Sequence, residues 1–214
     1  GEDMALTRVR AAGVTNNAIG SSQLDLTANY TFTGTISGAS GWRQETKSAD
    51  NSAVELQFDI GAGAEIIFVT LENFYKSGTG TNTMLQLGTS SAFLGTGYQE
   101  RNSYISQGAV NGGGNYGSSG NRNGFVMSGE AAAGSTYRLN GTYKLFRRDS
   151  ATGNAASDNV WLCDWTAQSQ TNAYITIGGG SKNVGALLTR LRIISANGSS
   201  NLQAGSVTVR YLVR

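Results

Sequence analysis

Residues 54–60 read VELQFDI, and apolar and polar side chains alternate along the whole run. Val54, Leu56, Phe58 and Ile60 share one face of an extended chain, because successive side chains of a β-strand point to opposite sides. A period of two over this length predicts a strand with one buried face and one face in water. The same alternation returns over residues 207–213.

The segment 64–74 has apolar side chains on both faces of an extended chain. Ile66 and Phe68 lie on one face, while Ile67, Val69 and Leu71 lie on the other. A strand with two apolar faces is covered on both sides, so this segment is predicted to be a central strand.

Residues 137–148 contain Asn140-Gly141, a pair typical of a tight hairpin turn. A two-residue turn there would set Leu139 opposite Thr142 and mix apolar with polar side chains on one face. A single strand instead collects the apolar side chains of the segment on one face. We therefore expect one continuous strand, with Gly141 as a bulge or a close-packing point.

Further strands are predicted at residues 83–87, 104–110, 124–128, 160–166, 173–177 and 187–195. Residues 197–205 are expected to connect the strand at 187–195 to the strand at 207–213. Roughly ten short strands with polar turns indicate an all-β fold, an antiparallel two-sheet β-sandwich of jelly-roll type. A lectin-like sandwich and a barrel are the alternatives.

Residues 1–40 are interpreted as an extended N-terminal arm, and residues 41–214 as the sandwich domain. Residues 1–3 have the composition that tag removal leaves, so Met4 is expected to be the native start. An extended arm cannot bury an apolar face alone, so it must lie on the sandwich or on another subunit. The arm residues expected to make this contact are Leu24, Leu26, Tyr30, Phe32 and Ile36.

The chain has 214 residues, 14% of them charged, and no histidine. The lack of histidine excludes Ser-His-Asp and Cys-His nucleophiles and histidine-ligated metals. Cys163 lies between Trp161 and Trp165 on one strand face, so it is expected to be a buried thiol. No acidic spacing indicates a calcium site or a catalytic carboxylate pair, so no cofactor or metal is expected.

The glycine-rich runs 112–117 and 178–180 are not followed by the Lys-Ser or Lys-Thr of a phosphate-binding loop, and they are interpreted as turns. A formal net charge of +2, scattered along the chain, does not favour nucleic-acid binding. Membrane insertion is not expected either, because no run approaches about 18 consecutive apolar residues.

Aromatic side chains beside polar segments are the best candidates for binding, because flat rings pack on the apolar faces of sugars. The loop 107–123 is either a mobile surface loop or a recognition loop. Tyr98 and Tyr116 are the aromatics most expected to be exposed. The candidate receptor-binding or glycan-binding residues are Trp42, Tyr98, Tyr104, Tyr116 and Arg122.

Several segments resemble bacteriophage tail-fibre and related virion proteins. In the N-terminal stretch these are MALTRV (4–9), VTNNAI (14–19), QLDL (23–26) and NYTFTGTISG (29–38). A sandwich module of phage structural proteins is similar to IIFVTLENF (66–74), MLQLGTS (84–90) with Gly97-Tyr98, LRIIS (191–195) and AGSVTV (204–209).

The resemblance implies a non-enzymatic virion component, exposed on the tail or capsid of the particle and acting in host-cell attachment. It also implies a homo-oligomer, commonly a trimer, in contact with other virion proteins and with a host surface glycan. It carries over no functional residue. A capsid decoration protein, a stand-alone carbohydrate-binding module and a polysaccharide-degrading enzyme are the alternatives.

Overall fold

The computed structural model describes residues 41–61, 63–77, 83–105, 114–115, 123–127, 138–148, 159–169, 175–196 and 198–213. All regular secondary structure in these residues is β-strand. Two antiparallel sheets pack against each other, which confirms the predicted all-β, two-sheet sandwich. The proposed arm and its five apolar residues lie outside the described residues.

The larger sheet has eight strands in the order β1-β12-β3-β8-β9-β10-β5-β6. Its strands are β1 (Gly41–Ser48), β3 (Ala64–Lys76), β5 (Tyr98–Ile105), β6 (Gly114–Asn115), β8 (Leu139–Arg148), β9 (Val160–Ser169), β10 (Ile175–Asn183) and β12 (Leu202–Val213). The smaller sheet has four strands in the order β2-β11-β4-β7. These are β2 (Glu55–Asp59), β4 (Thr83–Gly88), β7 (Phe125–Val126) and β11 (Arg190–Ser195).

The core lies between the two sheets and is built by the alternating strands. Leu56 and Phe58 of β2 and Val207 and Val209 of β12 are buried there, as their alternation predicts. Strand β3 lies between β12 and β8, so its prediction as a central strand is confirmed. Its core face is fully buried, whereas its other face is half-buried.

Strand β8 runs without a turn through Asn140-Gly141, which confirms the continuous strand over its described residues. A Cβ atom at Gly141 would lie 2.7 Å from the Cβ of Ala167, so Gly141 is a close-packing point. The accompanying bulge lies in β3, where Asn73 has a φ of 48°. The Asn73 N–H donates to Asn140 Oδ1 at 2.8 Å, so the asparagine that suggested a turn supports the bulge instead.

The strands differ from the prediction in several places, of which four are the most important. Strand β1 was not predicted, because it is a polar edge strand that is mostly exposed. Strand β5 begins at Tyr98 and not at residue 104. Its first half was not predicted because polar Glu100 and Asn102 lie on its buried face, where apolar residues were expected. Strand β12 begins at Leu202, inside the predicted connection 197–205. Residues 178–180 were predicted to form a turn, and this is wrong, because they lie in the middle of β10.

Candidate functional site

The outer face of the eight-stranded sheet, turned away from the smaller sheet, presents three rows of residues that cross seven strands. The first row contains Trp42, Leu212, Ile66, Phe146, Leu162, Ser181 and Gln99. The second row contains Gln44, Arg210, Phe68, Lys144, Asp164, Gly179 and Arg101. The third row contains Thr46, Thr208, Thr70, Thr142, Thr166, Ile177 and Ser103. The outer face therefore has a largely apolar row, a charged row and a hydroxyl row.

The first row begins with Trp42, whose side chain is 46% exposed. Its ring centroid lies 5.8 Å from that of Phe68. The Arg210 guanidinium carbon lies 4.7 Å from the Trp42 ring centroid, in a cation–π arrangement. The indole is thus held at the margin of the sheet with almost half of its surface open to a ligand.

The third row is a ladder of five threonines on five adjacent strands. The hydroxyls of Thr46 and Thr208 lie 2.9 Å apart, and those of Thr70 and Thr142 lie 3.4 Å apart. Neighbouring strands are about 4.8 Å apart, so the ladder offers hydroxyl donors and acceptors at a regular spacing. Such a row can hydrogen-bond a polymer that lies flat on the sheet.

At the other end of the outer face lies an open depression, here called the Gly179 trough. One part has a volume of about 420 Å³ and is lined by Gln99, Glu100, Arg101, Leu162, Gly179, Gly180 and Ser181. The adjoining part has a volume of about 290 Å³ and is lined by Arg101, Asn102, Ser103, Ile177 and Gly178. Arg101 lines both parts, so it stands at the centre of the trough.

The floor of the trough comes from the three consecutive glycines of β10, and they differ in the space around them. A Cβ atom at Gly178 would overlap the ring of Trp165, and one at Gly180 would overlap the carbonyl of Gln99. A Cβ atom at Gly179 would meet Asp164 Oδ1 at 3.4 Å, an ordinary contact. Packing therefore requires glycine at positions 178 and 180, but not at position 179, where its effect is to leave the trough open.

The other face of β5 attaches this strand to the smaller sheet. The Leu87 N–H donates to the Tyr98 hydroxyl at 2.7 Å, and the Val126 N–H donates to Glu100 Oε2 at 2.8 Å. Asn102 donates to the Val126 carbonyl at 3.4 Å. With these alternate side chains directed into the core, β5 presents Gln99, Arg101 and Ser103 to the trough.

The two charged groups nearest to Gly179 are Asp164 and Arg101, its cross-strand neighbours on either side. Two strand spacings separate their backbones by about 10 Å. Both side chains are exposed, and within the part of the chain that the structure describes neither makes a hydrogen bond or an ion pair. Arg101 thus lines the trough itself, and Asp164 lies beside it on strand β9.

The predicted site residues have different outcomes. Trp42 is exposed on the outer face. The expectation that Tyr98 is exposed is wrong, because its ring is fully buried against Phe125, with centroids 4.9 Å apart. Burial also raises the pKa of its hydroxyl. Tyr104 lies on β5, but its side chain is outside the described residues, as are Tyr116 and Arg122.

The trough itself was not predicted from the sequence. Arg101 precedes residue 104, where the strand was predicted to begin. Leu162 lies in a predicted strand, but on the face opposite to the apolar face that carries Cys163. The signal that could have found them is the glycine run 178–180 directly after Ile175 and Ile177, since glycine inside a strand marks a close approach of a ligand or of another part of the chain. The prediction that the Cys163 thiol is buried is confirmed, and Trp161 and Trp165 on the same strand face are buried with it.

Among the described residues, no three His, Cys, Asp or Glu side chains are grouped closely enough to hold a metal ion. The same residues include no helix long and apolar enough to cross a membrane. No protein-family model matches the chain, and no curated protein matches it.

Proposed function

We propose that the chain is a non-enzymatic bacteriophage virion protein, a tail-fibre or appendage component that attaches the particle to a glycan on the host-cell surface. The resemblance of its N-terminal and sandwich segments to phage proteins supports the virion part of this proposal. The outer face of the eight-stranded sheet supports the attachment part. The observation that carries it is the exposed, fixed indole of Trp42 at the head of an apolar row that leads to the Gly179 trough.

Sugars have apolar ring faces bordered by hydroxyl groups, so a surface that binds them needs apolar and hydrogen-bonding groups side by side. The outer face offers both, because its apolar row lies two residues along the strands from the charged row and four from the threonine ladder. A sheet face spanning seven strands suits a polymer, since many weak contacts add along its length.

A trimer on the virion would multiply this attachment, because the second and third contacts become intramolecular once the first has formed. The homo-oligomer is therefore part of the proposal. A stand-alone carbohydrate-binding module would use the same face as a monomer, and a capsid decoration protein would not need the face for attachment.

The test is adsorption of the fluorescently labelled protein to a panel of bacterial cells. Trp42→Ala is expected to reduce adsorption at least tenfold, since it removes the exposed ring. Leu187→Ala is the matched control, because Leu187 is 49% exposed and lies in the β10–β11 connection. Adsorption that both variants leave at the wild-type level would contradict attachment through this face.

A further inference from the structure

We infer that the Gly179 trough is a binding site for a carboxylate-bearing saccharide, with Arg101 as the group that recognises the carboxylate. This inference rests on the proposed function and specifies the chemistry of its ligand. It begins from Gly179, because interior glycine weakens a strand and its neighbours here do not require it. Because Gly179 has no side chain where one would fit, the trough has space for a ligand.

The size and lining of the trough fit a small polar ligand. Its larger part, of about 420 Å³, lies within the range of small-molecule sites, roughly 300–1,000 Å³, and the part of about 290 Å³ extends it. Leu162 and Ile177 are 44% and 46% exposed at its border and offer apolar contact area. Gln99 and Ser181 face each other across β5 and β10 and supply hydrogen-bonding groups.

Arg101 determines the charge of the ligand. Its guanidinium is the charged side chain common to both parts of the trough, since the Glu100 side chain points into the core and lines the trough through its backbone. A guanidinium binds a carboxylate through two parallel hydrogen bonds, which gives both strength and orientation. A uronic acid presents such a carboxylate on a sugar ring.

Asp164 then fits the opposite side of the same ligand. It stands on the other side of Gly179 from Arg101, with backbones about 10 Å apart. Its carboxylate only accepts hydrogen bonds, so it suits the hydroxyl groups of a sugar. The pair therefore defines a direction for the bound unit, with its acid group toward β5 and hydroxyls toward β9.

The test measures binding of an α-linked galacturonic acid trisaccharide by titration calorimetry, with the neutral galactose trisaccharide as the comparison ligand. We expect the acidic trisaccharide to bind at least tenfold more tightly than the neutral one, and Arg101→Gln to remove that difference. Gly179→Gln is expected to abolish binding, because the new side chain fills the trough without a backbone clash. Gly95→Gln is the matched control, since a Cβ atom there meets nothing within 4 Å and Gly95 does not line the trough.

No saturable binding of the acidic trisaccharide, or binding that survives Gly179→Gln, would overturn the inference. Thermal unfolding of each variant shows whether it is folded. Cell adsorption by the same variants separates this inference from the proposed function. Adsorption lost in Trp42→Ala, together with no calorimetric binding of the acidic trisaccharide, would overturn the trough and leave attachment standing. Trisaccharide binding without adsorption to any cell would leave the trough standing and count against attachment.

Discussion

The indole of Trp165 lies directly against Gly178, its cross-strand partner in β10, and leaves no space for a methyl group at position 178. One residue further, Gly179 faces the opposite side of the sheet and has room for a side chain. Adjacent glycines of one strand thus have different roles. Gly178 makes the core packing of Trp165 possible, whereas Gly179 keeps the outer face open.

The two glycines are expected to respond in opposite ways to alanine. Gly178→Ala should lower the free energy of unfolding by about 1–3 kcal/mol, because the new methyl group forces the Trp165 ring to move. Gly179→Ala should raise it by about 0.5–1 kcal/mol, because alanine is favoured over glycine inside a strand. Urea denaturation of both variants measures these changes, and the reverse order would contradict the assigned roles.

Lys76, at the end of β3, is expected to make stability depend on alkaline pH. It is only 6% exposed, and desolvation lowers its pKa from 10.5 to about 8. Between these two pH values the unfolded chain binds a proton that the folded chain does not, so this group makes the free energy of unfolding rise with pH across that window.

Lys76→Met tests this dependence because it removes the titrating group. The variant should be more stable than the wild type at about pH 7, and the difference should shrink as pH rises from 8 to 10.5. Urea denaturation of both proteins at each pH gives the difference in their free energies of unfolding. Groups that titrate equally in both proteins cancel in this difference. A stability difference that stays constant with pH would show that Lys76 is not desolvated in the folded protein.

Cys163 is expected to resist thiol reagents while the protein is folded. Its side chain is fully buried, and desolvation, with the nearby Asp164 and Glu100 carboxylates, raises the pKa of its thiol. Reaction with a chromogenic disulfide reagent should be slow in buffer and should release one equivalent per chain in guanidinium chloride. Fast stoichiometric reaction of the folded protein would contradict the buried thiol.

The arm prediction is tested by mass in solution. Light scattering during size-exclusion chromatography should give three times the 22.4 kDa chain mass for the 214-residue chain. Deleting residues 1–38 should give the mass of a monomer, if the arm's apolar residues are buried against a neighbouring subunit. An oligomer that keeps its number of subunits after the deletion would show that the arm is not the connector.

The sandwich was predictable wherever one face of a strand is apolar and the other polar. Residues 54–60 and 207–213 have this alternation, and strands β2 and β12 form at these two places. At Asn140-Gly141 a continuous strand was predicted although the pair is typical of a turn, because only a continuous strand places the apolar side chains on one face. The packing of Gly141 on Ala167 in the next strand outweighs the local preference of this pair for a turn.

The candidate site was less predictable, because it depends on which strands become neighbours. Tyr98 is surrounded in sequence by polar residues, yet its ring is buried and its hydroxyl accepts a hydrogen bond from Leu87 in the other sheet. Arg101 and Asp164 are 63 positions apart and flank Gly179 only because β9, β10 and β5 are adjacent in the sheet. Single-strand patterns contain no information on that order.

The most direct test of attachment through the outer face is iodide quenching of tryptophan fluorescence with and without purified surface polysaccharide from a cell that adsorbs the protein. Trp42 is 46% exposed, whereas Trp161 and Trp165 are 1% and 2% exposed, so iodide quenching reports on Trp42. We predict that saturating polysaccharide largely removes the quenching, because the polymer covers the ring. Unchanged quenching with the polysaccharide bound would contradict attachment through this face.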